Sequence, residues 1–159
     1  MKLYHGSNMK VKVPKVRRNL RALDFGAGFY LTSSESQAIR WAKIVTERKR
    51  AGQATLNVYG VSDDLLGELN ILNFEVASDE WLDFVVANRK GTLVENPYDL
   101  VIGPVANDST LPVINLYIDG IYDKKKAVEE LLPQNLTDQY ALLTEKAIGL
   151  LAFERSELL

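Results

Sequence analysis

The sequence contains no cysteine, which excludes disulfides, thiolate nucleophiles and cysteine-built zinc sites together and suits a reducing, cytoplasmic setting. With one histidine, His5, zinc sites made of several imidazoles are excluded as well, and no metal is expected. No apolar run approaches the roughly 20 residues of a membrane span. The start, Met1-Lys2-Leu3-Tyr4-His5, has no apolar stretch behind its charge of the kind a secretory signal carries. The chain is therefore read as soluble and cytoplasmic, without a membrane partner. A dominant charge is missing too: 19 Lys+Arg against 21 Asp+Glu leave a formal −2, which argues against a general nucleic-acid or membrane binder. The local exception runs from Lys10 to Arg21 and holds Lys10, Lys12, Lys15, Arg17, Arg18 and Arg21 with no acidic residue. A solvated loop is the plain reading of such a run, and an anionic ligand or acidic target is the other.

What is present suffices for one domain over residues 1–159 with a core of its own. The 47% apolar and 25% charged fractions are those of an ordinary globular protein, and no repeat, low-complexity tract or linker divides the chain. Lys2 to His5 reads as an opening strand. Phe25 to Thr32 reads as a glycine-loosened entry into β structure. Ser34 with Gln37 predicts a capping box and a helix to about Arg50, with Ala38, Trp41, Ala42 and Val45 on one face, ended by Ala51-Gly52. Thr55 to Val61 alternates like a strand. Asp79 to Arg89 places Trp81, Leu82 and Val85 at helical spacing. Tyr98 to Val105 predicts a strand closed by Gly103-Pro104, and Lys124 to Leu132 a helix stopped by Pro133. Gln139 to Leu143 is expected as the last strand, before a final helix capped by Thr144 and carrying Ala147, Ile148 and Leu151. Elements mixed without regular alternation argue for an α+β fold over a doubly wound sheet.

Several motifs fail on context. Asp24-Phe25-Gly26 spells the magnesium-binding tripeptide of protein kinases, but the chain is too short and the partner motifs are absent. Gly26-Ala27-Gly28 begins a dinucleotide fingerprint whose third glycine would fall at Leu31. Tyr4-His5-Gly6-Ser7-Asn8 lacks the glycine pattern of a nucleophile elbow.

One constellation survives. Tyr4-His5-Gly6-Ser7, then Phe25-Gly26-Ala27-Gly28-Phe29-Tyr30, then Trp41 eleven residues on, resembles the diphtheria-toxin-like and poly-ADP-ribose-polymerase-like branch of ADP-ribosyltransferases. More of the chain resembles a family of bacterial proteins known as DUF3990, through Leu3-Tyr4-His5-Gly6-Ser7, Asp24 to Thr32, Trp81-Leu82-Asp83-Phe84, Asn88-Arg89 and Tyr98 to Asp108. The first resemblance implies an ADP-ribosyltransferase-like fold in which split antiparallel sheets form an NAD⁺ cleft with flanking helices. NAD⁺ is then substrate rather than resident cofactor.

The chemistry suits these residue types. Breaking the nicotinamide–ribose bond develops an oxocarbenium-like centre, as in glycoside hydrolysis, and the pyridinium leaves without a general acid. The site must hold ring and ribose and stabilise positive charge. The resemblance gives His5 the adenosine ribose and sets Gly6 against the nicotinamide amide, where a residue without a side chain lets its backbone come close. Tyr30 and Trp41 would sandwich the ring, each stack contributing roughly 0.5–1.5 kcal/mol. Ser7 can hold a ribose or amide group, Gly28 can allow close ligand approach or merely form a bulge, and Arg17, Arg18 or Arg21 can meet the pyrophosphate. Core packing competes for Trp41.

Many such transferases place a glutamate at the start of a late strand. The matching position here is Gln139, which can hydrogen-bond a hydroxyl but brings no charge. Asp138 lies on the opposite face, so either it or Gln139 looks into the cleft, and Asp108 is a further carboxylate that can equally cap the next segment. Similar toxins act with a non-glutamate third residue, generally as mono-transferases. The implied activity is thus mono-ADP-ribosylation of a macromolecular acceptor, protein or nucleic acid, as the toxin of a bacterial conflict or toxin–antitoxin system with an antitoxin partner. The alternatives are an NAD⁺ glycohydrolase and a silent NAD⁺- or ADP-ribose-binding module.

Overall fold

The run Thr55–Gly60 is buried at every position but the last, as expected of a strand with neighbours on both edges and cover on both faces. A computed structural model, which describes residues 1–16, 24–93, 96–107, 109–134 and 136–159 and of Leu65 only the backbone, places it so. The elements in chain order are β1 (Lys2–Ser7), β2 (Phe29–Leu31), α1 (Glu35–Lys49), β3 (Thr55–Gly60), α2 (Asp63–Leu66), β4 (Ile71–Asn73), α3 (Asp79–Lys90), β5 (Leu100–Pro104), α4 (Leu111–Ile118), α5 (Lys124–Leu131), β6 (Asp138–Leu142), α6 (Glu145–Ile148) and β7 (Ala152–Leu158). They build a mixed α+β architecture of two sheets, one ordered β1-β3-β7 and the other β2-β6-β5-β4. No helix among the described residues is long and apolar enough to cross a membrane.

The first sheet is antiparallel throughout. The second is antiparallel except for β4, which runs parallel to β5, a departure from the all-antiparallel expectation. The sheets meet at one isolated antiparallel bridge, Tyr4 with Thr32, where the Tyr4 N–H donates to Thr32 O at 2.8 Å and the Thr32 N–H to Tyr4 O at 2.9 Å.

Period-two alternation sorts the side chains into layers. Leu3 of β1, Tyr59 of β3, Phe29 and Leu31 of β2 and Leu142 of β6 form the core between the sheets. On the outer face of the first sheet, α1 covers Leu56 and Val58 with Ala38. The outer face of the second sheet contributes Val101 and Ala141 to a core with Trp81, Leu82 and Val85 of α3, Ile114 of α4 and Ala127 and Leu131 of α5. Trp81 is fully buried, and its indole N–H finds Pro104 O at 3.0 Å, which answers the one polar atom that burial would otherwise leave wanting.

Local signals explain most boundaries. Ser34 Oγ accepts from the Gln37 N–H at 3.3 Å, half of the expected capping box. The other half is supplied by Thr32, whose Oγ1 takes the Ser34 N–H at 3.0 Å. Helix α3 starts on Ser78 and ends on Gly91 at φ 67, the left-handed cap that glycine favours. The segment after Thr144 corrects the sequence reading: its helix is one turn, Glu145–Ile148, and the chain then forms β7 on the edge of the first sheet. The strand ending in Leu142 is therefore not the last.

Candidate functional site

The residues singled out in β1 and β2 meet where the two sheets part. In β1, Met1 exchanges hydrogen bonds with Val61, so odd-numbered residues turn their backbone groups to β3 and even-numbered ones turn them away. Tyr4 spends its pair on Thr32. Gly6 directs its N–H and C=O to the same side, where no described residue bonds them. Asn57, fully buried in β3, braces this strand end: its amide donates to Met9 O at 3.2 Å and to His5 O at 3.4 Å, and its carbonyl accepts from Val11 N at 2.9 Å.

His5 bridges the parting strands. Its Nδ1 lies 2.7 Å from Tyr30 O, and because a carbonyl only accepts, Nδ1 carries the proton and Nε2 is the ring's acceptor in the neutral form. The imidazole rests on Phe29 with ring centroids 4.4 Å apart. Ser7 is buried at the end of β1. A Cβ on Gly6 would stand 2.0 Å from Ala38 O, so glycine is required there for α1 to sit on β1, a structural reason beside any functional one. Gly28 is also packed, its missing Cβ facing Leu142 O at 2.6 Å. Its close approach is to β6.

Tyr30 pairs with Ala141, which puts its ring on the helix-facing side of the second sheet beside Gln139. The phenol accepts the Phe25 N–H at 3.0 Å and donates to Gly26 O at 2.5 Å. Burial pushes its pKa above the ordinary tyrosine range, with Asp24 adding to the rise, so the hydroxyl is a fixed neutral strut and not a base. Gly26, at φ +102, makes the turn that brings its carbonyl there.

Trp41 departs from expectation. Ala38 and Ala42 are the buried residues of α1, whereas Trp41, about 60° around the helix from Ala38, is 47% exposed. Arg48 lies 5.5 Å from its ring centroid, and no other aromatic ring among the described residues pairs with it. The contact at Gly6 is so close that only alanines fit between α1 and the strand, which turns the indole outward.

Asp138 and Gln139, on opposite faces of β6, differ in their partners. Asp138 accepts from Thr32 Oγ1 at 3.0 Å, from Ser33 N at 2.9 Å and from Ser33 Oγ, and so secures the turn into α1. Gln139 shares the Tyr30 face, is 8% exposed, and its Nε2 has no hydrogen-bond partner. Asp24 and Arg89, which the sequence marks only within the Asp24–Thr32 and Asn88-Arg89 stretches, form an ion pair beside Gln139. Arg89 Nε and Nη2 both contact Asp24 Oδ1 at 2.6 Å. Burial raises the Asp24 pKa, against the lowering pull of Arg89 and of the nearby Gln139 amide. The amide lies close enough to act on the carboxylate as a weak donor, without the geometry of a well-formed hydrogen bond.

The model of a family described as a protein of unknown function, DUF3990, matches residues 1–153. The chain belongs to the DUF3990 family. Neither curated proteins nor solved structures give a match. In this DUF3990 protein the quoted stretches converge: Tyr4-His5-Gly6-Ser7 and Phe29-Tyr30 form the parting strands, and Asp24 and Arg89 form an ion pair beside them. Arg17, Arg18, Arg21 and Asp108 lie outside the described residues. Of the basic run, Lys10, Lys12 and Lys15 are exposed, as a solvated loop would have them. A cavity of about 300 Å³ between Val76, Pro104 and Leu131–Leu132 is lined by none of the candidate site residues.

Proposed function

We propose that this DUF3990 protein is a mono-ADP-ribosyltransferase that consumes NAD⁺ at the parting of β1 and β2. The observation that carries the reading is the wedge itself. Gly6 offers an N–H and a C=O on an unpaired stretch of strand edge, and His5 is oriented across the gap by the Tyr30 carbonyl. A carboxamide is the complement of one backbone donor and one backbone acceptor, so nicotinamide can dock as one further rung of the ladder. Two sheets joined at a single bridge, with helices outside, support the split-sheet, ADP-ribosyltransferase-like arrangement that the resemblance implies.

In this mechanism the bond between nicotinamide nitrogen and C1′ breaks with its electron pair leaving on nitrogen. The pyridinium becomes neutral nicotinamide, and positive charge passes to the ribose. A nucleophile of a macromolecular acceptor then bonds C1′ and loses its proton to solvent. The resemblance gives His5 the adenosine ribose, and the Tyr30 ring forms a wall whose hydroxyl is already committed. Trp41 is surface that a bound ring can cover. The toxin role, its antitoxin and the cytoplasmic setting belong to the same proposal through the resemblance.

A second reading, an NAD⁺- or ADP-ribose-binding module without turnover, is favoured by one observation: β6 presents an amide, not a carboxylate, on the Tyr30 face. Incubation with NAD⁺ labelled in its adenylate half separates these readings. Release of nicotinamide with label retained on protein or nucleic acid supports the transferase. Label recovered as free ADP-ribose alone makes the protein a glycohydrolase. Calorimetric binding without nicotinamide release makes it a binding module, and absence of binding rejects the site.

A further inference from the structure

Gln139 presents an unusual balance. An amide NH₂ carries two protons to donate, and leaving such a group buried and unmade costs about 1–3 kcal/mol. The fold recovers little of that cost: the Asp24 carboxylate lies near without a well-formed bond from the amide, while Ala141 on the same face packs in the apolar core and an apolar side chain at 139 would do likewise. Beside it, Asp24 is held from one side only. Both Arg89 contacts fall on Oδ1, and no well-formed hydrogen bond among the described residues reaches Oδ2. The loop that carries Asp24 is fixed, because Asn96 Nδ2 donates to Phe25 O at 3.2 Å and the Tyr30 phenol holds Phe25 N and Gly26 O.

An amide donor and a carboxylate acceptor side by side, with no well-formed bond between them, complement a hydroxyl, which accepts one hydrogen bond and donates another. A second amino group would find too few acceptors, and a phosphate would be repelled by the carboxylate. We propose that Gln139 and Asp24 together hold one ribose hydroxyl of the dinucleotide, Asp24 supplying from the loop before β2 the negative charge that β6 does not carry. This rests on the transferase reading. The Gln139 NH₂ donates to the hydroxyl oxygen, and the hydroxyl proton points to Asp24 Oδ2. As the C1′–nitrogen bond lengthens and its electron pair leaves with nicotinamide, the carboxylate stabilises the charge growing on the ribose. Arg89 keeps that carboxylate in place. The ion pair that looks structural is, on this view, half of the catalytic apparatus.

The test uses the full chain with NAD⁺ and compares Asp24→Asn, Gln139→Glu and the double variant Asp24→Asn/Gln139→Glu, each checked for folding by its thermal melt. Nicotinamide release should fall about 10²-fold in Asp24→Asn, the usual size of one preorganised electrostatic contact, with KM changed only a few-fold. The double variant, which returns a carboxylate to the same face from the strand side, should recover at least about tenfold over Asp24→Asn, a rescue that a purely structural role would not give. Wild-type release by Asp24→Asn, or a folded double variant no better than Asp24→Asn, overturns the assignment and leaves the transferase reading intact. If the wild type binds NAD⁺ without releasing nicotinamide, the transferase reading falls and the hydroxyl site is read from affinity. Weakening about fivefold or more in both Asp24→Asn and Gln139→Leu supports it, and unchanged affinity in both overturns it.

Discussion

Asp138 and Gln139 follow one another in β6, point to opposite faces of the same sheet, and are provided for in opposite ways. Asp138 is surrounded by donors from Thr32 and Ser33 and joins β6 to the start of α1. Gln139 is buried deeper, and its amide nitrogen makes no well-formed hydrogen bond. A polar group that the fold satisfies is explained by the fold, whereas one that the fold buries and leaves unmet points to something the fold lacks. That contrast, rather than residue type, separates structure from site here. Residue type alone would have favoured the carboxylate.

The comparison can be broken at several points. The largest effect is expected at Tyr30, which belongs to both sides. Tyr30→Ala removes a partly buried ring and its two loop contacts, should lower unfolding free energy by about 3 kcal/mol in urea titrations, and should abolish nicotinamide release. Tyr30→Phe, which keeps the ring, should lose about 1–2 kcal/mol and retain most activity. Equal loss of activity in both would move the role from ring to hydroxyl. Asp138→Ala should cost about 2 kcal/mol through its charge-assisted bonds while leaving release per folded molecule within about twofold. Gln139→Leu should do the reverse, gaining up to about 1 kcal/mol in stability and losing at least about tenfold in release.

A subtler contrast is one of pH. Burial raises the Asp24 pKa in the folded chain, so the folded state binds that proton more tightly. Its contribution to stability is present below the unfolded pKa and is lost as pH rises through the folded one. Asp99 is lowered by the Asn70 N–H and the Thr144 hydroxyl, so its contribution is present above the unfolded pKa and is lost as pH falls through the folded one. Between about pH 3 and pH 7, urea midpoints of Asp24→Asn should therefore rise relative to wild type, and those of Asp99→Asn should fall. The smallest effect belongs to Trp41→Ala, expected within about 0.5 kcal/mol in stability because the indole is half exposed. It should still weaken NAD⁺ by roughly threefold to tenfold, measured by calorimetry, if a bound ring stacks there.

Much of the fold was legible where burial is one-sided or capping is explicit. Strands β1 and β3 and helices α1, α3 and α5 lie close to where alternation, Ser34 and the Trp81-Leu82-Val85 spacing put them. What escaped was set by tertiary context. Strand β7, Ala-Phe-Glu-Arg-Ser-Glu-Leu, is an edge strand with no fully buried residue, so it carries no apolar alternation, and the helix before it is too short to announce its end. Helix α4 begins with proline in its first turn and is apolar almost throughout, which masks its period. The same holds for the site. His5, Gly6 and Tyr30 could be nominated because they sit within one short motif each, whereas Trp41 is exposed because a helix resting on a glycine buries its small residues, not its large one. Asp24, Arg89 and Gln139 are 65 and 50 residues apart in sequence; only the fold brings them together, so no spacing rule could nominate them as a group.

The Tyr4–Thr32 bridge gives the molecule a seam. Two amide protons, those of Tyr4 and Thr32, report on whether the strands remain joined at the point where they part, and opening there breaks two hydrogen bonds without disturbing either sheet's own ladder. A ligand laid across the gap would stitch both margins at once. Hydrogen exchange at these two amides should then slow far more on saturation with NAD⁺ than at the centre of β3, and the degree of slowing would measure how tightly the ligand closes the seam.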